Sequence, residues 1–375
     1  MKKVFIFLLF IICVACNKET KIFQSDKFSI GNTFIDTNVL KAYYPVITDD
    51  KIYFTCNGMH TMMAYNIKHQ NTDTLLVSPS KIVRISPLND TNIFYYIATQ
   101  NGEMLKNTLT SDYNFLKNVK NTVTHPYWGK NFIIHAGANQ MTRIGTNRWI
   151  AECYYWYCYA EGYSLMLKNK IPLFLIFDID KDTNIIPVSF FGWYPQSYPD
   201  DNYFDGGFLY YCYNKNRNEI ICYTKLHDSI VLCDSLGRRI KDCYYGSKFH
   251  NRIPFQKKED QTAIAVKIHL HSTCTYYGPL IYDSYRNVYL RVLCLPRPQD
   301  KNEIFKTDIA TDYLIIVADE KFNIKYEVFF DGDEYALPLG NILINEQGVL
   351  IFKQNNENEK DNKKNEDNAT WFIFD

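Results

Sequence analysis

LFLIFDIDKDTNIIPVSF, residues 173–190, is an apolar run, a polar turn of Asp, Lys and Asn, and a second run rich in β-branched residues. That order reads as a β-hairpin. It recurs in MMAYNIKHQNTDTLLV (62–77), SIVLCDSLGRRIKDCY (229–244) and YLIIVADEKFNIKYEVFF (313–330), with a weaker copy in GEMLKNTLTSDYNFLKN (102–118). A sixth copy starts at TWFIFD (370–375). Most copies follow another strand pair, such as KAYYPVITDDKIYFTCN, GGFLYYCYNKNRNEIICYT and YGPLIYDSYRNVYLRVL. Four strands per unit and about six units predict an all-β protein, a six-bladed β-propeller. Seven or eight blades, an open β-solenoid or two stacked sandwiches are the other arrangements that fit the pattern.

The last unit lacks an outer strand. A bare sheet edge invites aggregation, so a strand from KIFQSDKFSIGN (21–32) is expected to complete that blade and close the ring. Residues 21–375 are read as a single propeller domain. With the strands of a blade lettered A to D from the inner one outward, its A–B and C–D turns are short, as in TDD, LND, NKNRN, SYRN, SLGR and DEKFN. The long segments 119–140, 156–171, 192–205, 245–273, 295–311 and 354–369 are all B–C or D–A connections. Strand alternation puts them at one end of the disc. Long connections on a rigid scaffold are where function concentrates, so that end is the expected functional face.

The N-terminus carries a different signal. Lys2 and Lys3 precede an uncharged apolar run, Val4 to Val14, too short for a membrane span of about 20 residues and suited to a signal peptide. Ala15 followed by Cys16 resembles the bacterial lipobox, with Cys13 where Leu is more usual. Residues 1–15 are expected to be removed, Cys16 to carry lipid (palmitate among its chains), and 16–20 to form a short tether. The predicted address is the bacterial cell envelope, on the outer membrane, periplasmic or surface side.

Without residues 1–15 the chain has 39 Lys+Arg against 41 Asp+Glu. That balance offers no basic excess for displacing counterions from nucleic acid. Nine cysteines remain besides Cys13 and Cys16. An odd number cannot pair completely within one chain. Most lie in apolar strands such as LYYCY, IICY and VLC, and are read as small buried core residues.

The stretch YGPLIYDSYRNVYLRV (277–292), together with the lipoprotein signal and the β repeat, resembles Bacteroidota envelope lipoproteins of domain-of-unknown-function family 4221. Its spacing of Tyr277, Asp283, Arg286 and Arg291 is the most recognisable part. The resemblance implies a lipid-anchored, six-bladed TolB-like propeller and brings no reaction or catalytic residues with it.

Motifs for catalysis are absent: there is no G-x-S-x-G, H-E-x-x-H, P-loop or paired C-x-x-C. His269 and His271 with Cys274 have the beginnings of a zinc set but no further ligand. Asp178, Asp180 and Asp182 mimic the start of a calcium loop, yet Thr183 and Ser189 stand where Gly and Glu would be needed. They read better as hairpin-turn acids. Arg286 and Arg291 are suited to gripping a carboxylate, or to pairing with Asp283 or a backbone carbonyl. The aromatic clusters HPYW (125–128), YYWYCYAEGY (154–163), GWYPQSYPDDNYF (192–204) and HSTCTYYG (271–278) place flat rings with polar tips on or beside the long connections. The candidate ligand contacts are therefore Trp128, Trp156, Trp193, Tyr194, His271, Tyr277, Arg286 and Arg291. No catalytic residue, metal or cofactor is assigned. The function expected is a lipid-anchored module that binds a protein, peptide or glycan. The alternative is a hydrolase or lyase acting on sugars or peptides through acids or histidines of the same face.

Overall fold

A computed structural model describes residues 21–33, 35, 39, 45–48, 50–89, 92–99, 102–107, 122–124, 131–135, 141–154, 173–179, 185–197, 209–250, 275–295, 311–336, 342–353 and 368–374. The signal peptide 1–15, Cys16, the tether to residue 20, Trp128, Trp156, His269, His271 and Cys274 lie outside them, as do Asp180, Asp182 and most of the long segments named above.

The strands form a β-propeller of successive antiparallel sheets. The first runs Val46–Thr48, Lys51–Cys56, Thr61–Asn66, Asn71–Val77, and the second Ile82–Asn89, Asn92–Thr99, Gly102–Asn107. In the third, Asn131–His135 and Thr142–Arg143 share one edge of Arg148–Tyr154, which Phe174–Ile179 and Ile185–Phe191 follow; Thr122–Thr124 adds to Asn131–His135. The fourth is Leu209–Asn214, Glu219–Thr224, Ser229–Cys233, Arg239–Tyr244. The fifth is Tyr276–Asp283, Val288–Cys294, Tyr313–Ala318, Ile324–Phe330, and the sixth Leu343–Ile344, Val349–Phe352, Ala369–Phe372.

Two departures from expectation stand out. The expected four strands make up the first, fourth and sixth sheets, while the third has six and the fifth five. The second has three strands among the described residues, because its unit is described only as far as Asn107. The N-terminal segment, in turn, serves two sheets rather than one. Ser29–Thr33 pairs antiparallel with Ala369–Phe372, Asn32 opposite Thr370. Just before it, Ile22–Gln24 lies parallel on the outer edge of the fifth sheet, Ile22 opposite Glu327. A 3-10 turn, Ser25–Phe28, joins the two strands.

The core sits between neighbouring sheets. Tyr53 and Met62 of the first meet Ile82 and Ile85 of the second. Ile150 and Phe174 of the third meet Tyr211 and Val231 of the fourth. Leu232 meets Leu293 across sheets four and five, and Val317 and Phe330 meet Ile351 and Phe372 across five and six. Leu350 and Trp371 of the sixth sheet pack on Ile52 and Phe54 of the first. The strands alternate apolar residues towards both neighbours, so central strands such as Tyr313–Ala318 are buried on both faces.

Short turns fix the end opposite the long connections. Asn218 and Asn287 take left-handed φ values of 55° and 57°, which Asn tolerates in tight turns. Side chains then link one turn to the next. Asn216 of sheet four donates to Asn287 Oδ1 of sheet five at 2.8 Å. Arg286 of sheet five donates to the Glu346 carbonyl of sheet six at 2.7 Å.

Candidate functional site

Arg291 lies mid-strand in VYLRVLC and is completely buried. A cation there needs acceptors, and sheet four supplies them. The connection between its second and third strands offers the carbonyls of Thr224 (3.1 Å), His227 (2.8 Å) and Asp228 (3.1 Å). The carbonyl of Tyr245, just past the fourth strand, is the next acceptor. The guanidinium also stacks on the Tyr277 ring, its carbon 3.5 Å from the centroid, a cation–π contact strengthened by the absence of water. Desolvation lowers the Arg291 pKa; the facing Tyr277, Tyr245 and Asp228 act the other way.

Beside this cation lies a chain of buried hydrogen bonds. Asp228 Oδ1 accepts from Tyr277 Oη at 2.6 Å and from His250 Nδ1 at 2.8 Å. A carboxylate accepts only, so His250 carries its proton on Nδ1 and turns Nε2 away from Asp228. That Nε2 is buried and has no hydrogen-bond partner among the described residues. Tyr277 Oη accepts from the Ser247 backbone N–H at 3.0 Å. Ser247 Oγ donates to Glu327 Oε2 at 3.0 Å, and Glu327 Oε1 again has no partner among the described residues. Burial raises the Glu327 pKa, against the Ser247 hydrogen bond and the charge of Lys248. Burial also pushes the Tyr277 hydroxyl far above the ordinary phenol range, which keeps it a donor to Asp228.

Local sequence makes this possible. Gly246 passes so close over Asp228 that a Cβ would meet its carboxylate atoms at 2.5 Å. Tyr245 anchors the same segment, with its hydroxyl 2.8 Å from the Ile316 carbonyl and 2.9 Å from that of Tyr289. The cluster therefore sits where sheets four and five meet, at the end from which 251–274 departs.

Of the residues singled out from sequence, Tyr277 and Arg291 come together here. Arg286 lies at the opposite end, where it bonds Asp283 Oδ2 at 2.9 Å and reaches the turn of sheet six. Trp193 is half-buried between sheets three and four, and its indole N–H donates to the Gly237 carbonyl at 2.8 Å. Tyr194 is buried beside it. Asp178 is held below the ordinary carboxylate range by a two-point hydrogen bond from Arg148, at 2.9 Å in each arm. Those two residues line an open cleft of about 480 Å³ at the tight-turn end, with Thr146, Asn147, Asn218 and Ser235. Among the described residues no group of three or more His, Cys, Asp or Glu is placed to hold a metal ion. Sequence reasoning passed over Asp228, Ser247, His250 and Glu327. The signal that leads to them is Arg291 itself, a charge in an otherwise apolar strand.

The family model described as domain of unknown function DUF4221 matches residues 139–327, half of the chain. The chain belongs to the DUF4221 family. The match takes in the later strands of sheet three, all of sheet four and sheet five as far as Glu327, so it contains every residue of the buried cluster. A crystal structure of a DUF4221 member from Bacteroides vulgatus is similar over 92% of each chain, at 17% identity and a TM-score of 0.64. The calcium-binding protein regucalcin from Agrobacterium tumefaciens is similar over 94% of this chain and 95% of its own, at 6% identity and a TM-score of 0.40, a likeness too loose to bear on function. A search of curated proteins found no match for this DUF4221 member.

Proposed function

We propose that this protein is a lipid-anchored binding module of the bacterial envelope, a six-bladed ring that presents its long connections to a protein, peptide or glycan. One observation carries the binding reading: four long connections leave the same end of the sheets, and a rigid buried cluster underlies that end. The chain between Tyr154 and Phe174, between Phe191 and Leu209, between Tyr244 and Tyr276 and between Cys294 and Tyr313 all depart there by strand alternation. Asp228 and the segment Tyr245–His250 form its floor between sheets four and five. Six blades and closure by Ser29–Thr33 are supported by the register with Ala369–Phe372 and by the core shared between the sixth and first sheets.

Glycan and peptide arrays probed with residues 17–375 test the binding reading; a featureless array would remove it. The anchor has its own test. Cys16→Ala should leave the protein unacylated and retained as precursor, and normal maturation with membrane partitioning of that variant would remove the lipid.

A hydrolytic reading draws on one specific arrangement, the Asp228–His250 pair with Nε2 unengaged. An acid that orients a histidine base is half of a nucleophilic triad. Binding is the stronger reading because the nearby hydroxyl of Ser247 donates to Glu327 instead of to His250. Turnover of a glycan or peptide by residues 17–375 that His250→Gln abolishes would reverse this order.

A further inference from the structure

The way the chain enters the fold fixes which part of the disc lies near the lipid. Ile22–Gln24 runs parallel to Ile324–Phe330, and Glu327 N–H donates to the Lys21 carbonyl at 3.0 Å. At Lys21 the strand therefore enters from the side of Lys325 and the turn Asp319–Asn323, opposite the end that bears the long connections. Only four residues separate Lys21 from Cys16. Fully extended, five steps of the chain cover about 17 Å. Lys21 stands level with Tyr326, roughly 10 Å of strand from that turn. Laid along the strand direction, a tether this short reaches about 7 Å beyond the turn; doubled back, it would spend about 13 Å of its length on the strand as far as Phe330.

The surface around the entry point suits a bilayer. Lys21, Lys321 and Lys325 are all exposed there. The acids of that turn are partly shielded, and Asp319 is occupied by the backbone N–H groups of Lys321 and Asn323 at 2.8 and 2.9 Å. Lysines held near an anionic leaflet are attracted to it.

We propose that the protein meets anionic lipid headgroups through the corner formed by Lys21, Lys321 and Lys325, with the long connections pointing away from the membrane. This rests on the reading that Cys16 is acylated. It also means that a partner reaches the long-connection end from the aqueous side, without competing with lipid.

Lysine-reactive footprinting read by mass spectrometry tests it, using the acylated protein in vesicles of phosphatidylethanolamine and phosphatidylglycerol. Residues 17–375 without lipid, mixed with the same vesicles, give the reference rates. Lys321 and Lys325 should label at least threefold more slowly in the anchored protein. Lys248, exposed beside the buried cluster at the other end, should label at its reference rate. Protection of Lys248 in place of Lys321 and Lys325, or equal rates at all three in protein that floats with the vesicles, would overturn the orientation and leave the anchor intact. An N-terminal peptide without acyl mass, in protein that stays off the vesicles, would overturn both.

Discussion

At the residue scale, the buried cluster makes two separable demands. Glu327 is buried with one oxygen unpaired, and its pKa lies above the unfolded value. A carboxyl shifted upward contributes stability while protonated, below the unfolded pKa, and loses it as pH rises through the folded pKa. Glu327→Gln should therefore melt within a degree of wild type near pH 4. Above pH 7 it should melt a few degrees higher, at about 2–4 °C per kcal/mol. Equal melting at all pH values would mean the side chain is better solvated than its burial indicates. Arg291 behaves in the opposite way. Its removal orphans several buried carbonyls at once, each costing about 1–3 kcal/mol when unsatisfied. Arg291→Met should lower stability by about 3–5 kcal/mol in urea unfolding, and Arg291→Lys should recover only part, since an ammonium cannot span carbonyls set around a planar fork. If Met is tolerated, the network is not what holds sheet four to sheet five.

At the element scale, the N-terminal segment separates two contributions. Ile22–Gln24 is a short strand on an exposed edge, whereas Ser29–Thr33 covers Ala369–Phe372, whose residues are buried. Deleting 17–24 should cost a few degrees of melting temperature, and deleting 17–35 at least twice that, because the second deletion bares a sheet edge and loosens the sixth sheet from the first. Equal losses would place the main contribution in the parallel strand. The hairpins were legible in the sequence because each is a local statement: two β-rich runs and a turn such as NKNRN or SYRN within about 16 residues. The antiparallel partner of 369–372 was legible from an unpaired last strand. The parallel strand Ile22–Gln24 was not, since nothing in three residues, of which only Phe23 is half-buried, specifies an edge about 300 residues away. The cluster failed for the same reason, with Asp228, His250, Tyr277 and Glu327 drawn together from four separate elements. Arg291 reads from sequence as a ligand contact or as pairing with Asp283 or a backbone carbonyl; carbonyls are what it bonds, but that they belong to another sheet carries no sequence signature.

At the scale of the whole molecule, the two ends of the disc differ in what they can give up. The tight-turn end is stitched between blades by Asn216 and Arg286, so substitutions there reach the packing. At the other end, the connection 156–171 joins Arg148–Tyr154 to Phe174–Ile179, antiparallel neighbours whose ends already lie side by side. A much shorter link can join them, and loop-closure entropy changes only slowly with length. Exchanging 156–171 for a short Gly/Ser linker removes Trp156 and its neighbouring tyrosines and leaves every described strand in place. Melting should stay within about 3 °C of wild type, while capture of whatever ligand the arrays reveal should fall at least tenfold. Trp193→Ala gives the contrast: that indole packs between sheets three and four and bonds Gly237, so its loss should cost about 3 kcal/mol and confound any binding assay. Unfolding of the loop-exchanged protein would show that the connection belongs to the core, and undiminished capture would move the ligand away from the long-connection end.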